Sequence, residues 1–586
     1  MKRQLDATGD RDNLWLAGGA TVLAAVGVGG AWASLHLAAV LTDRPRPTRD
    51  PLRLVIGLVT GEVVWTSTAT MVAAGLAVAL LVVVFLLILA WPKGGGRRMR
   101  SDSSARHMGR GADVDHLTAA GSARTGKRLG THGPGLPIGR AVAGRKMLHT
   151  SWEDMAILVA GPRTQKTTAY AIPALLAAPG AALATSNKRD LYDATHTLRA
   201  QQGRVWVFDA QGVTRTPASW CWDPLSYIAP RDSSGRPRRL PSGEVWASET
   251  RAERLAAQLV TSARPVGAKV DAYFDTEAEN LIGLMLLAAA CTEQPMTVVY
   301  TWLSMASPEE NDAADLLRAN GFLLQAQAMK ALAGLPDKQR EGVYGTARSL
   351  LTWLRNRDVT PWITPGPTVD GTVRQAFDPV AFASSTDTLY PLSKEGVGSV
   401  GPLVAALTMA VLDALEDQAA TTPTGRLTVP FVGVLDEAAN ICRIRGLDAY
   451  YSHFGSRGIV LLTILQSWAQ GAEAWGTHGM EKLWSSANAR IYGGGVDDPT
   501  FLRRLSDLIG ETSLVRRSAT VSKGGRSVSR TVQRETILTP AELRELPQGR
   551  AVLFASGTPA ILTHPVPWWE GPHATTIHAS LAQVAV

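Results

Sequence analysis

Residues 156–178 constrain the fold of this chain more than any other stretch. AILVA at 156–160 is a short apolar run, GPRTQKTT at 161–168 a turn, and AYAIPALLAA at 169–178 a helical pattern with Pro173 in its early turns. An apolar strand that turns straight into a helix is the frame of a phosphate-binding loop, where backbone N–H groups and a helix N-terminus face an anion. Such loops end in Lys followed by Ser or Thr, the places held by Lys166 and Thr167. Lys166 would neutralise the β- and γ-phosphates of a nucleotide, and Thr167 would offer its hydroxyl to Mg²⁺. Gly161, Pro162, Arg163, Thr164, Gln165 and Thr168 complete the candidate loop. It departs from G-x-x-x-x-G-K-[ST] at both glycines. Ala160 holds the first place, with Gly161 behind it, and Gln165 holds the second. A side chain at the second place either narrows the loop or brings an extra amide to the phosphates, and the residues leave both open.

A second segment answers the first. FVGVLDEAANI at 431–441 is an apolar strand ending in paired acids, the Walker B pattern. Asp436 is expected in the Mg²⁺ shell, directly or through water, and Glu437 is expected to polarise the attacking water. VLLTILQS puts Gln466 at the end of the following strand, within reach of a γ-phosphate or its water. Arg457, in SHFGSRGI at the turn before that strand, is a candidate arginine finger toward a neighbouring subunit. ATP and Mg²⁺ are the expected ligands.

Around these motifs the 586 residues alternate. GAALATS, RVWVFD, DTLYPLS and RIYGGG read as further strands, so the core is α/β with a mostly parallel sheet. Between about 245 and 360 the apolar spacing becomes three and four, which predicts an all-helical insertion. Cys221, Cys291 and Cys442 lie far apart, which argues against a zinc cluster and a disulfide framework.

The N-terminal part has a different character. Residues 13–42 and 63–92 carry no Asp, Glu, Lys or Arg. Each is long enough for a membrane helix, at about 14–36 and about 70–91. Since a nucleotide site needs cytoplasmic ATP, both termini are expected inside the cell membrane, with a loop of about 20 residues outside. Residues 93–135, KGGGRRMRSDSSARHMGRG and onward, read as a basic flexible tether, either solvated or lying on anionic lipid.

Lys plus Arg number 59 against 51 Asp plus Glu, a net charge of +8. The excess fits a nucleic-acid or anionic-lipid partner. Its densest stretch is Arg516, Arg517, Lys523, Arg526, Arg530 and Arg534, with no acid among them. The alternation on either side of KGG predicts a hairpin, either solvated or touching a DNA backbone without sequence preference.

Taken in order, these blocks resemble the type IV secretion coupling proteins of conjugation, the TraD/TraG class, and among them actinobacterial members. MLHTSWEDMAILVAGPRTQKTTAYAIPALL, ATSNKRDLYDAT, VWVFDAQG, YFDTEAENLIGLMLLAAA, VGVLDEAANI, TILQS and TILTPAELRELPQGRAVLFASGTPAILTHPVPWW carry the resemblance. It implies a RecA-like nucleotide-binding domain at 136–250 and 361–575 and an all-α domain at 251–360. A two-helix membrane anchor at 1–92, the tether at 93–135 and a tail at 576–586 complete the expected plan. It further implies a homo-hexameric ring on the inner face of the membrane that couples ATP hydrolysis to transfer of relaxase-bound single-stranded DNA, or another secretion substrate, into a type IV channel. The matching positions assign Lys166 and Thr167 to phosphate and Mg²⁺, Asp436 and Glu437 to Walker B, Gln466 to sensing and Arg457 to a finger in trans. Two other readings remain. One is an ATP-binding receptor of low turnover, because of Gln165, that recruits protein cargo. The other is a double-stranded DNA translocase of the FtsK/HerA kind, which the helical insertion between the Walker motifs argues against.

Overall fold

The structure is a computed structural model. It describes residues 27–45, 47–48, 50–90, 100–232, 234–265, 267–305, 307, 311–368, 370–396, 398–522 and 525–584, excluding the side chains at 52, 84, 86–90, 100, 514–531 and 583–584. The chain divides into two compact units, Met1–Arg98 and Met99–Val586.

In the first unit, helices cover residues 27–41, Pro51–Thr60 and Ser67–Ala90. Leu35, Ala38, Leu54 and Ala69 make its small core. The segment expected as a loop between two spans therefore contains a ten-residue helix. Residues 14–26 of the first expected span lie outside the described residues. Ser67–Ala90 is uncharged, but several side chains at its end are not described. Among the described residues no helix is long and apolar enough to cross a membrane.

The second unit is built on one eleven-stranded sheet. Its strands are β1 (Pro137–Ala141), β2 (Met147–His149), β3 (Ala156–Val159), β4 (Ala182–Thr185), β5 (Val205–Phe208), β8 (Thr388–Pro391), β9 (Phe431–Leu435), β10 (Ile459–Leu465), β11 (Ala489–Tyr492), β14 (Ala551–Ala555) and β15 (Ile561–His564). Two short pairs stand apart, β6 (Trp220–Cys221) with β7 (Gln375–Ala376), and the hairpin of β12 (Glu511–Ser522) and β13 (Gly525–Thr536). The sheet order is β2-β1-β15-β14-β11-β3-β10-β9-β4-β8-β5. From β11 to β5 the seven strands are parallel, and from β11 to β2 the pairing is antiparallel. Every residue of β3, β4, β9 and β10 is buried. Helices cover both faces of such strands, so their sequences are near-continuous apolar runs without alternation. Two large apolar clusters lie on the two faces.

Between β6 and β7 the chain is helical: Glu249–Ala263, Phe274–Ala290, Thr297–Leu303, Ala313–Ala319, Leu323–Ala333 and Asp337–Leu350 are its longer helices.

Two expectations need correction. The stretch 93–135 is not a free tether from Arg100 onward, since 3₁₀ turns at Arg100–His107 and Gly111–Leu117 and a helix at Ala119–Arg128 pack on the sheet. Ala105, Met108, Val114 and Leu117 are buried. Arg550 grips Asp102 through two bonds of 2.6 and 2.9 Å. The described part of the expected tail, 576–584, is helical. Helix Ala574–Val584 buries Ile577, and its Ser580 hydroxyl donates to the Asp193 carbonyl at 3.1 Å.

Candidate nucleotide-binding site

The carboxyl ends of β3, β4, β9 and β10 meet at one edge of the sheet. Leu465 pairs with Val159, Thr463 with Leu435, and Leu435 with Thr185. The crevice outside strand carboxyl ends is where open α/β sheets bind ligands. The loop 160–166 leaves β3 there and enters a single π-helical turn, Thr167–Ala171, before α-helix Ile172–Leu176. Pro173 has no N–H to give to a preceding carbonyl, and a wider turn before it absorbs that loss. The helical reading of 169–178 therefore holds as a π turn followed by a short α-helix ending at Leu176.

The loop is locked sterically at Gly161. Its N–H donates to the Gly494 carbonyl at 2.9 Å, and a Cβ on it would sit 1.9 Å from the Gly495 carbonyl oxygen. The glycine run after β11 thus forms the floor of the loop, a role the sequence signalled only as RIYGGG. At the other glycine place, Gln165 has φ +63°, and Arg163 has φ +60°. The left-handed region is where glycine is favoured, so Gln165 keeps a glycine-like backbone at some strain. Pro162 and Arg163 are exposed. The Thr164 hydroxyl donates to the Gly161 carbonyl at 2.7 Å and that of Thr168 to the Gln165 carbonyl at 3.4 Å.

Lys166 folds back onto its own loop, its Nζ donating to the Ala160 and Gly161 carbonyls at 3.0 and 2.9 Å. Burial pulls its pKa down, while Glu437 and Asp436 hold it up. The Thr167 hydroxyl donates to Asp436 Oδ2 at 3.2 Å. Asp436 is buried, and burial, with the charges of Glu437 and Asp190, pushes its carboxyl up to about 7. A hydroxyl and a carboxylate side by side are hard oxygen donors of the kind Mg²⁺ takes beside nucleotide phosphates. The residues therefore fit that ion.

Glu437 sits in a left-handed conformation, φ +53°. The Gln466 amide donates to both of its carboxylate oxygens, at 2.8 and 2.9 Å. Gln470 and Asn440 extend this network. The Gln466 N–H donates to Gln470 Oε1 at 3.1 Å, Gln470 Nε2 to Asn440 Oδ1 at 3.3 Å, and Asn440 Nδ2 to Glu395 Oε1 at 3.0 Å. The sequence offered no sign of Asn440, Gln470 or Glu395 beyond their nearness to strand ends.

Lys166, Thr167, Asp436, Glu437 and Gln466 are thus brought together. Arg457 is not, because it precedes β10 whereas Gln466 follows it. At about 3.3 Å per residue the two ends of β10 are roughly 20 Å apart. Arg457 pairs with Glu416 at 3.3 Å. In the basic hairpin, Arg516, Arg517, Arg526 and Arg530 lie on described strands, but their side chains, and all of Lys523, lie outside the described residues. Arg534 lies on β13.

Three comparisons bear on this site. Residues 430–548 match the family model described as the TraM recognition site of TraD and TraG. Conjugal transfer protein TraG of Agrobacterium fabrum is 26% identical over 141 residues, 23% of this chain and 21% of that protein. Its counterpart from Rhizobium radiobacter is likewise 26% identical over 141 residues, 23% of this chain and 22% of that protein. The chain therefore spans about a fifth of the length of these curated relatives. Among solved structures, the unbound bacterial conjugative coupling protein TrwB lacking its N-terminal segment aligns with a TM-score of 0.52 at 17% identity, covering 76% of this chain and 91% of that one. The plasmid coupling protein TrwB in complex with ADP and Mg²⁺ aligns at 0.51 and 16%, covering 76% and 92%. The chain is similar to these conjugative coupling proteins, and its mixed α/β sheet fold matches that of TrwB.

Proposed function

We propose that this chain is an ATPase of the coupling-protein kind, which uses ATP hydrolysis to drive DNA into a type IV secretion channel. The observation that carries the reading is the meeting of Thr167 with Asp436 and of Gln466 with Glu437 at the carboxyl edge of a parallel sheet.

The chemistry follows from these groups. On nucleotide entry Lys166 would exchange its two loop carbonyls for phosphate oxygens, and the loop N–H groups would point at the same anion. Thr167 and Asp436 would hold Mg²⁺, which neutralises charge building on the phosphates. Glu437, held by Gln466, would accept a proton from the attacking water. Gln466, bonded to that base, would sense the γ-phosphate or its water, and loss of the phosphate would then be felt at Glu437.

Further parts of the reading rest on the sequence. The uncharged stretches near the N-terminus support a membrane anchor with cytoplasmic termini. The basic hairpin 511–536 supports sequence-independent contact with single-stranded DNA. Ring assembly would give Arg457 a neighbouring subunit's phosphate. A relaxase or other secretion substrate, channel proteins and a TraM-like protein are the partners this reading implies, the last through residues 430–548. Gln165 takes the backbone a glycine would take, which weakens the low-turnover receptor without removing the side chain on which that reading rests.

The test is ATP turnover of the full chain in detergent micelles, with and without single-stranded DNA, beside Lys166→Ala. DNA-stimulated turnover that falls at least about 100-fold in the variant is expected. A folded chain that neither hydrolyses ATP nor binds DNA would sink the proposal.

A further inference from the structure

Gln258 is a polar residue in helix Glu249–Ala263 of the helical insertion, yet it is only 1% exposed. A buried primary amide is costly unless its groups are satisfied. Here both ends of the amide are satisfied, chiefly by the backbone of one distant segment. Its Nε2 donates to the Arg443 carbonyl at 2.8 Å, and its Oε1 accepts from the Arg445 N–H at 3.0 Å. The Ser262 hydroxyl donates to the same Arg443 carbonyl at 2.9 Å. The grip is mutual. Arg443 Nη2 donates to the carbonyls of Ser262 and Arg264, at 3.1 and 2.5 Å, at the C-terminal end of that helix. A cation there also meets the negative end of the helix dipole.

The gripped segment begins at the hydrolytic carboxylate. The Asn440 and Ile441 N–H groups donate to the Glu437 carbonyl at 2.9 and 3.1 Å, and Asn440 Nδ2 reaches Glu437 Oε2 at 3.4 Å. Only five residues, 438–442, thus separate Glu437 from the Arg443 carbonyl held by Gln258. Beside them lies a cleft of about 700 Å³, lined by Asn440 and Arg443 of the segment and by Arg264, Trp353 and Asn356 of the insertion. The indole N–H of Trp353 is buried there without a partner. A cleft next to a rigid strut leaves room for the segment and the insertion to shift against each other.

We infer that the segment Glu437–Arg445 carries the state of the nucleotide site to the helical insertion, with Gln258 and Ser262 as positioning residues at its far end. The inference rests on the nucleotide reading above. Without this grip, events at the γ-phosphate would leave helix Glu249–Ala263 unmoved.

The experiment compares the parent full chain with Gln258→Leu, near in size but without hydrogen bonds, and with the milder Ser262→Ala, which removes one hydroxyl. Two quantities are read in detergent micelles. The first is the change in amide hydrogen exchange of helix Glu249–Ala263 on adding a non-hydrolysable ATP analogue with Mg²⁺. The second is ATP turnover with and without single-stranded DNA. In the parent the analogue should slow exchange in that helix severalfold. In Gln258→Leu that response should vanish and DNA stimulation should fall about tenfold, while nucleotide affinity and basal turnover stay within about twofold. Ser262→Ala should give an intermediate loss. An exchange response that persists in Gln258→Leu overturns the inference, as does a parent that binds the analogue without any response in the helix. Should Gln258→Leu fail to fold, Ser262→Ala with an unchanged response overturns it alone. A parent that binds the analogue, shows the response and hydrolyses nothing upholds the strut and overturns the ATPase reading instead.

Discussion

The phosphate loop at 160–168 and the stretch 100–135 look alike in sequence. Both are made mostly of small and polar residues, and neither has apolar periodicity. Both are ordered, with a different balance of backbone and side-chain contacts. The loop is fixed through its backbone, by a glycine pressed against the Gly494–Gly495 carbonyls and by a flanking strand buried on both faces. The stretch 100–135 has close glycines too, Gly109, Gly121 and Gly135 against backbone carbonyls, but adds side-chain locks that tie it to distant segments. Arg550 forks onto Asp102, Thr118 caps the helix Ala119–Arg128 by accepting from the Gly121 N–H, and the Ser122 hydroxyl donates to the Thr150 carbonyl at 2.5 Å. A backbone lock depends on the absence of a Cβ, and a side-chain lock on the presence of a partner. The two should therefore fail under different substitutions.

The largest effect is expected at Gly161. Gly161→Ala puts a methyl group 1.9 Å from the Gly495 carbonyl oxygen, a backbone atom that cannot swing aside. The loop must leave its floor, and nucleotide affinity should fall by about 100-fold or more, while the melting temperature moves by only a few degrees. Titration with a fluorescent nucleotide reads the first and calorimetry the second. Unchanged affinity would mean that the floor does not shape the loop.

The mirror experiment is Arg550→Ala. It leaves Asp102, with 18% of its side chain exposed, without its guanidinium. Loss of about 2 kcal/mol of stability is expected, because a largely buried carboxylate loses its partner. Nucleotide affinity should hold. Denaturant unfolding followed alongside nucleotide titration separates the two, and an affinity loss equal to that of Gly161→Ala would erase the distinction between the locks.

These two locks also mark what the sequence could reveal. The parallel strands were legible because burial on both faces turns them into apolar runs, and AILV, FVGVL and IVLLTIL lie where the pattern put them. Lys166–Thr167 and Asp436–Glu437 could be singled out because the proposed chemistry demands fixed spacing around a strand end, and the structure brings them together. The Asp102–Arg550 pair was not, since its members are 448 residues apart and each alone reads as a solvated charge. The tail helix Ala574–Val584 was missed because its few apolar residues gain meaning only against helix Asp190–Arg199. Asn440, Gln470 and Gln258 carry no signature either, as amides become informative only once their partners are known.

A third effect concerns Asp436. Its folded-state pKa is raised to about 7 from an ordinary 3.8. The raised value means that folding favours its protonated form. Its contribution to the stability of the cation-free protein is therefore largest at low pH and declines as pH rises from about 4 through about 7. Mg²⁺ needs the ionised carboxylate, so below about pH 7 each cation bound must displace a proton. Mg²⁺-dependent nucleotide affinity should fall up to tenfold per pH unit between 7 and 5. Calorimetry in two buffers of different ionisation enthalpy should register about one proton released at pH 6. A flat profile would mean that Asp436 is already ionised and lies outside the cation shell.

The smallest effect sharpens the backbone side of the comparison. Gln165 holds φ +63°, at a cost of roughly 1 kcal/mol for a residue with a Cβ. Gln165→Gly removes that strain but gives the unfolded chain about 0.5–1 kcal/mol more conformational entropy to lose. The two nearly cancel, so stability should change by less than about 0.5 kcal/mol and turnover by less than about threefold. Gln165→Val should behave differently, because a β-branched side chain tolerates φ > 0 poorly. It should lower nucleotide affinity about tenfold through the same loop that Gly161→Ala disrupts. If Gln165→Gly instead raised turnover by orders of magnitude, the amide itself would be the brake. The departure from the glycine pattern would then be a regulatory feature rather than a tolerated substitution.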